Sequence, residues 1–279
     1  MFLLWFRIIR PQTLFASLCP VVVALLTMTE AVASWNVAIV TIVCALALQI
    51  LSNLINDYYD FKRGTDQKGR AGFKRALAEG EVTEKQMLMA CLITLGICVL
   101  CGAYLIWVGG WVILAIGVTA LLFAWLYTAT SHSLSYLGIA DIFVFLYYGV
   151  IAATGTTYLQ TGQFSLPVFY AGGVCGLISM CVLLINNLRD MESDRRVGKR
   201  TLPVRFGRKA GLGLMLLVVI LMPVLAYLAF HSLMPTLVFL PALLLWQAVR
   251  HAQGTTFNRC LMCAGLINVF YTLLVWLTA

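Results

Sequence analysis

Charge is scarce in this sequence of 279 residues. Only 11% of the residues are charged and 11 residues are acidic, whereas 62% are hydrophobic and the mean hydropathy is +0.94. An ordinary soluble domain has roughly 25% charged residues. The composition therefore excludes a typical soluble domain and indicates an integral membrane protein.

The sequence also lacks the motifs of several enzyme classes. It has no P-loop, no GxGxxG and no HExxH motif, and its three His residues are scattered. Nothing therefore suggests a nucleoside triphosphatase or a dinucleotide enzyme. Nine Cys residues occur in apolar segments, and two CxxC spacings among them have no His or acidic neighbours. We interpret these Cys residues as small packing residues, with a metal or redox role as the weaker alternative.

Long apolar runs recur along the whole chain. A helix needs about 20 apolar residues to cross a bilayer, and nine such runs occur, at about residues 11–29, 35–58, 86–107, 110–129, 138–160, 166–188, 210–230, 232–249 and 258–278. Because backbone in lipid must satisfy its own hydrogen bonds, these runs predict an all-α membrane protein, a bundle of nine transmembrane helices. We expect a single domain over residues 1–279, with the first run retained as a helix and not cleaved as a signal peptide.

Basic residues are distributed unevenly between the loops. If the N-terminus is cytoplasmic, all 19 Lys and Arg residues fall on the cytoplasmic side and the opposite loops carry none. This distribution follows the positive-inside rule and predicts that orientation. It also explains the net charge of +8 without a nucleic acid partner. The predicted location is the inner (cytoplasmic) membrane of a bacterium, as a multi-pass protein.

Two long cytoplasmic loops, at about residues 59–85 and 189–209, contain most of the polar chemistry. The first loop follows LINDYYD at residues 54–60, and the second follows LINNLRD at residues 184–190. Both stretches match the pattern LINxxxD. The match favours a duplicated bundle, in which a binding site commonly lies where the two repeats meet.

The spacing of the Asn and Asp residues predicts clustered oxygen ligands. Asn56 and Asp60 are four residues apart, as are Asn186 and Asp190, and Asp190 and Asp194; on a helix each pair shares one face. Such carboxylates repel one another unless a cation lies between them, and Mg²⁺ suits them because carboxylates, waters and phosphate oxygens usually hold it. With bases close by, the clusters suggest a diphosphate bridged by magnesium. The alternative is a solvated loop whose acids only balance its bases.

Other candidate residues are isolated. Asp141 lies inside the fifth run, where an ionisable group is a functional candidate, although a structural role is equally open. Tyr147 and Tyr148 lie deeper in the same run, and their aromatic faces would suit a cationic intermediate. Arg10 is the base closest to the start of the first run.

These features resemble the UbiA superfamily of intramembrane aromatic prenyltransferases. The resemblance is carried by Asn56 and Asp60 with Asp66, by NNLRDMESDR at residues 186–195 and by RPQT at residues 10–13, and it covers essentially the whole chain. The six-residue spacing from Asp60 to Asp66 is similar to that of the 1,4-dihydroxy-2-naphthoate polyprenyltransferases of menaquinone synthesis. The 4-hydroxybenzoate branch usually has a shorter spacing.

The resemblance implies a magnesium-dependent enzyme that transfers a polyprenyl group from polyprenyl diphosphate to 1,4-dihydroxy-2-naphthoate, releasing diphosphate and carbon dioxide and giving demethylmenaquinone. It implies that Mg²⁺ is held by Asn56, Asp60, Asp66, Asp190 and Asp194. It implies substrate contacts from Arg10, Asn56, Asp57, Lys62, Arg63, Asn186, Lys199 and Tyr148. Asp141 would orient the acceptor or receive its proton. Membrane lipid surrounds such an enzyme, and no obligatory protein partner is expected.

Two other functions are compatible with parts of the pattern. A related prenyltransferase could use another aromatic acceptor, such as 4-hydroxybenzoate. An ion-coupled transporter would also have a repeat and polar helix ends, but its binding residues would lie at the midplane of the membrane and not at one face. An enzyme that joins alcohols to CDP-activated lipids would carry a DxxDGxxAR motif, which is absent.

Overall fold

A computed structural model describes residues 2–28, 32–64, 75–126 and 139–278 of the chain. The described residues are helical and contain no strand, which confirms the all-α prediction for this part of the chain. The helices are α1 (Phe2–Ile9), α2 (Pro11–Thr27), α3 (Trp35–Lys62), α4 (Glu84–Leu126), α5 (Ala140–Phe145), α6 (Ile151–Thr161), α7 (Leu166–Arg189), α8 (Met191–Arg196), α9 (Leu202–Phe230), α10 (Phe239–His251) and α11 (Thr256–Trp276).

The described helices confirm a multi-pass membrane protein. Six of them are long and apolar enough to cross a membrane, with α5 and α6 counted together, or seven if the bent pair α1 and α2 forms one span. This count is lower than the nine predicted runs for two reasons. The 43 residues of α4 cover two predicted runs, and Gly110 interrupts their helical conformation with φ 61° and ψ −144°. The predicted run at 232–249 is divided between a 3₁₀ turn (Pro235–Val238) and α10.

The central helix of the bundle is α7. It is the most buried of the candidate spans, whereas α4 is the least buried. Its apolar side chains share one core cluster with residues of α9, α10 and α11. Because α7 is enclosed by neighbouring helices, its C-terminal end is held in place where the chain continues into α8.

A π turn (Leu146–Val150) separates α5 from α6 and packs closely against α7. A Cβ atom at Gly149 would lie 2.5 Å from the carbonyl oxygen of Gly172, and one at Gly176 would collide with the carbonyl oxygen of Phe145. Only glycine permits backbones to approach this closely, as is common between membrane helices. The crossing therefore fixes the backbone that carries Tyr147 and Tyr148.

The short helix α1 is packed against the start of α4 and the end of α3. Ile8 belongs to a core cluster with Leu54, Leu77 and Met87, and Arg7 forms an ion pair with Glu81. The bend between α1 and α2 is 52° and occurs at Arg10. Arg10 adopts the left-handed conformation at φ 57°, which is uncommon for a residue other than glycine.

Candidate active site

A cavity of about 400 Å³ lies inside the helical bundle. Its wall is formed by residues of every helix from α2 to α8 and of α11, together with the π turn and the segments that precede α4 and follow α8. Polar and charged residues line the end of the cavity where α3 and α7 terminate. Apolar side chains line most of the remainder, so the cavity could hold a molecule with one charged end and one apolar end.

The two predicted Asn and Asp clusters line the same cavity. The end of α3 contributes Asn56 and Asp60, while the end of α7 and the adjoining α8 contribute Asn186, Asp190 and Asp194. The three Asp residues are between 6% and 9% exposed. Because buried carboxylates repel one another, they require a cation in their vicinity.

Lys199 supplies positive charge between the two clusters. Its Nζ atom lies 3.4 Å from Oδ1 of Asp60 and 3.9 Å from Oδ1 of Asp194. The local backbone explains this position, because Gly198 reverses the chain after α8 with φ 79° and the N–H of Lys199 donates to the carbonyl of Asp194. Lys199 belongs to the second loop, and its ammonium group contacts a carboxylate of each cluster.

Arg189 is the basic partner of Asp190. Its Nε and Nη2 atoms donate to the two carboxylate oxygens of Asp190, each at 2.8 Å, which is the bidentate geometry of a strong ion pair. Its Nη1 atom donates to Oδ1 of Asn258 on α11 at 3.0 Å. These contacts hold a buried guanidinium at the wall of the cavity and tie the end of α7 to α11.

Arg10 and Arg75 share a buried carboxylate, that of Asp57. Arg10 forms an ion pair with Asp57, and Nη1 of Arg75 lies 3.0 Å from its Oδ1 atom. Both arginines line the cavity, whereas Asp57 is not among the described lining residues. Asn53 supports the arrangement by donating to the carbonyl of Ile9 at 3.0 Å. Asp57 therefore holds two guanidinium groups at the charged end of the cavity.

The remaining predicted site residues have varied positions. Tyr148 lines the cavity. Lys62 is half-exposed and pairs with Glu84 at 2.6 Å. The described lining of the cavity includes neither Lys62 nor Arg63.

Two of the predicted acids do not appear in this lining. Asp141 is buried in the first turn of α5, and its Oδ1 atom has no hydrogen-bond partner in the described part of the chain. It is not among the described residues that line the cavity. Asp66 lies outside the described residues.

The model of the "UbiA prenyltransferase family" matches residues 17–275. The chain belongs to the UbiA prenyltransferase family. The match includes both clusters that line the cavity.

Several relatives within the family are similar over most of their length. The 1,4-dihydroxy-2-naphthoate octaprenyltransferase of Escherichia coli (strain K12) is 32% identical over 98% of this chain and 95% of its own. The Mycobacterium leprae (strain TN) protein of the same name is 36% identical over 73% of this chain and 69% of its own. A UbiA homolog from Archaeoglobus fulgidus, solved bound to GPP and Mg²⁺, has a TM-score of 0.71 at 16% identity over 99% of both chains, which supports a shared fold.

The residues around the cavity fit a magnesium ion by their chemistry. Asn56, Asp60, Asp190 and Asp194 bring hard oxygen ligands to one wall, which is the donor set that Mg²⁺ prefers. Two of these carboxylates already share a cation, the Lys199 ammonium. Within the described ranges, however, no group of three or more His, Cys, Asp or Glu residues is assembled as a metal site.

Several residues that line the cavity of this family member were not predicted from the sequence. Arg75 and Arg189 lie among many loop bases, and no local pattern distinguishes them from the others. Gln49, Ser179 and Asn268 lie within apolar runs and also line the cavity. Each of these three is a polar residue at membrane depth, and that signal could have identified them.

Proposed function

We propose that this protein transfers a polyprenyl group from a polyprenyl diphosphate to 1,4-dihydroxy-2-naphthoate, with release of diphosphate and carbon dioxide. The product of this step would be the hydroquinone demethylmenaquinol, because the transfer removes no electrons from the ring. The names of the relatives support the acceptor, and their similarity covers most of this chain. The observation that carries the proposal is that four bases and five Asn or Asp residues of the predicted clusters lie together at one end of an otherwise apolar cavity.

The charged end of the cavity suits a diphosphate. Its bases are Arg10, Arg75, Arg189 and Lys199, and all four are held by carboxylates of this chain. When the allylic C–O bond breaks, negative charge grows on the departing diphosphate, and fixed cations stabilise that charge. These four residues would therefore bind the substrate and favour its ionisation.

We propose that Asn56, Asp60, Asp66, Asp190 and Asp194 hold magnesium, with Asn186 at the same wall. When bound, the metal would supply further positive charge to the diphosphate. Asp57 would act differently from our sequence-based expectation, because it contacts Arg10 and Arg75 and would position them. Lys62 and Arg63 would contribute through the surrounding positive field only.

The aromatic residues of the cavity would face the reacting carbon. Tyr147, Tyr148 and Phe123 line the apolar part, and aromatic faces stabilise nearby positive charge. The electron-rich ring of the acceptor would attack the allylic cation, after which loss of carbon dioxide and a proton restores aromaticity. Asp141 remains a proposed proton acceptor or orienting residue for this step.

We propose nine membrane spans with a cytoplasmic N-terminus. A straight helix of 43 residues would be about 65 Å long, roughly twice the thickness of the hydrocarbon core, so α4 would cross twice with its turn at Gly110. The 3₁₀ turn and α10 would together form another span. The whole chain would form one domain in the inner membrane of a bacterium, with its active-site loops at residues 59–85 and 189–209 in the cytoplasm.

Transfer assays on the purified protein test this function. A labelled polyprenyl diphosphate would be incubated with 1,4-dihydroxy-2-naphthoate, with 4-hydroxybenzoate or with no acceptor. We expect a prenylated product and diphosphate release only with the naphthoate, and loss of both when EDTA removes the divalent metal. Transfer to 4-hydroxybenzoate alone would favour the other acceptor branch. Solute flux across proteoliposomes without diphosphate release would favour a transporter.

A further inference from the structure

A second polar group lines the cavity, which we call the neutral cluster: Gln49 of α3, Ser179 of α7 and Asn268 of α11. Their exposed fractions are 6%, 4% and 0%. Among the described residues, Oε1 of Gln49, Oγ of Ser179 and both polar atoms of the Asn268 amide have no hydrogen-bond partner. Buried polar atoms are normally paired, so these four atoms point to a missing partner in the cavity.

The neutral cluster begins close to Arg10 and extends away from Arg189, since Gln49 donates to Oδ1 of Asn53, which also accepts from Arg10. Ser179 is about 15 Å along α7 from Arg189, at a rise of 1.5 Å per residue. A Cβ atom at Gly265, one turn before Asn268, would lie 2.9 Å from the carbonyl oxygen of Gln12.

The same part of α2 also contacts Gln49. Its Nε2 atom donates to Thr13, at 3.2 Å. Gln49 and Asn268 therefore approach the cavity from two sides near one turn of α2, inside the bundle.

The chemistry of the neutral cluster excludes two parts of the substrates as its binding partner. A polyprenyl tail is hydrocarbon and would leave the four polar atoms unpaired. A diphosphate carries several negative charges and would bind the four bases, not these neutral groups. The part that matches is a neutral group that can donate and accept a hydrogen bond at once, which is a hydroxyl group.

We propose that the neutral cluster, with Asn268 at its centre, hydrogen bonds a phenolic hydroxyl group of the aromatic acceptor and sets the choice of acceptor. This inference rests on the proposed function. The carboxylate of the acceptor would then point toward the bases, and its hydroxyl toward Asn268. A site built to pair with a hydroxyl rejects an analogue that lacks it, because the polar atoms of the site would then stay buried and unpaired.

The test compares Asn268→Ala with wild type on three acceptors. These are 1,4-dihydroxy-2-naphthoate and the two analogues that each lack one hydroxyl, 1-hydroxy-2-naphthoate and 4-hydroxy-2-naphthoate. We expect the substitution to lower kcat/KM for the dihydroxy acceptor roughly tenfold, as for loss of one hydrogen bond. The analogue that lacks the contacted hydroxyl should be used equally well by both proteins. The KM for the polyprenyl diphosphate should not change.

Thr272→Val serves as the matched control. Thr272 is on the same helix, one turn from Asn268, and its hydroxyl donates to the Asn268 carbonyl at 2.9 Å; it is not among the described lining residues. This variant should keep the acceptor preference of the wild type. Ser179→Ala is a smaller change at the neutral cluster. The fall in kcat/KM that it causes should be confined to the acceptors that carry the contacted hydroxyl.

Thermal melting separates binding from a structural role. Alanine removes the two unpaired polar atoms without adding volume to a buried site, so Asn268→Ala should melt close to wild type without acceptor. The stabilisation that added dihydroxy acceptor gives to the wild type should be lost. A lower melting temperature without acceptor, or an equal loss of kcat/KM on all three acceptors, would overturn the inference while leaving the proposed function intact. A wild type that prenylates none of the acceptors would overturn both.

Discussion

The Nζ atom of Lys199 lies 3.4 Å from Oδ1 of Asp60, although 139 positions separate the two residues in the chain. The same ammonium lies 3.9 Å from Asp194. One side chain thus joins the polar ends of α3 and α7. In the sequence these ends appear only as two separate LINxxxD stretches.

Replacing Lys199 should strengthen the repulsion between the carboxylates of Asp60 and Asp194, because its ammonium group offsets that repulsion. For Lys199→Met we expect kcat/KM to fall about 100-fold, because loss of one partner from a buried ion pair costs about 3 kcal/mol. A higher Mg²⁺ concentration should recover part of the activity, since a second cation can occupy the space between the carboxylates. Product formation across a Mg²⁺ titration measures both effects. Lys209→Met, at an exposed position in the same part of the chain, should match wild type; an equal loss there would contradict the explanation.

Neutralising a cavity acid should abolish turnover without unfolding the protein. Asp60→Asn or Asp190→Asn keeps the side-chain volume and removes the charge that would hold metal, so we expect a loss of at least about 100-fold. Transfer assays and size-exclusion chromatography of the purified variants measure activity and folding. Glu192→Gln is the control, because this carboxylate is exposed and pairs only weakly with Arg195 at 3.4 Å. Full activity in both Asp variants would refute the shared metal site.

Asp57→Asn should act on substrate binding more than on turnover. Asp57 positions Arg10 and Arg75, and both guanidinium groups face the cavity. We expect the KM for polyprenyl diphosphate to rise about tenfold, as for loss of a charged hydrogen bond, while kcat changes less. The contrasting variant is Glu81→Gln, which breaks the exposed ion pair with Arg7 and should have almost no effect. A change in kcat alone for Asp57→Asn would argue against a positioning role.

Gly176→Ala should destabilise the bundle where the π turn crosses α7. The added methyl group would collide with the carbonyl oxygen of Phe145, and overpacking of this kind costs about 1–3 kcal/mol. We expect a lower melting temperature and lower activity, since Tyr147 and Tyr148 lie on the displaced turn. At Gly213 a methyl group would meet no atom within 4 Å, so Gly213→Ala should be neutral or slightly stabilising. A loss at Gly213 as large as that at Gly176 would show that contact is not the cause.

The sequence predicted the features that depend on local pattern. Apolar runs indicated the helices, and the four-residue spacing in LINxxxD indicated which side chains share a face. Both patterns lie within a single helix, so they can be recognised without knowing which helices pack against it. The structure accordingly brings Asn56, Asp60, Asp190 and Asp194 to one cavity, while their role in holding metal stays a prediction.

Features that depend on contacts between helices could not be predicted. The fifth apolar run reads as one continuous span, yet it contains a π turn that packs against glycines of α7. Asp57 resembles the metal-binding acids in sequence, but the bend at Arg10 directs a guanidinium onto it. In both cases the deciding partner lies far away in the chain, and no local pattern encodes it.

The exposed helix α4 has a consequence for how substrates arrive. Leu105 and Ile113 line the cavity and are nearly buried, while Trp107 and Trp111, which are close to them on the same helix, are 82% and 83% exposed. The partition between the reaction space and the surrounding lipid is therefore a single helix thick, about 10 Å. Under the proposed function, a hydrophobic quinone precursor would be made at a site that only one helix separates from the lipid. It could pass into the pool of membrane quinones without ever meeting water.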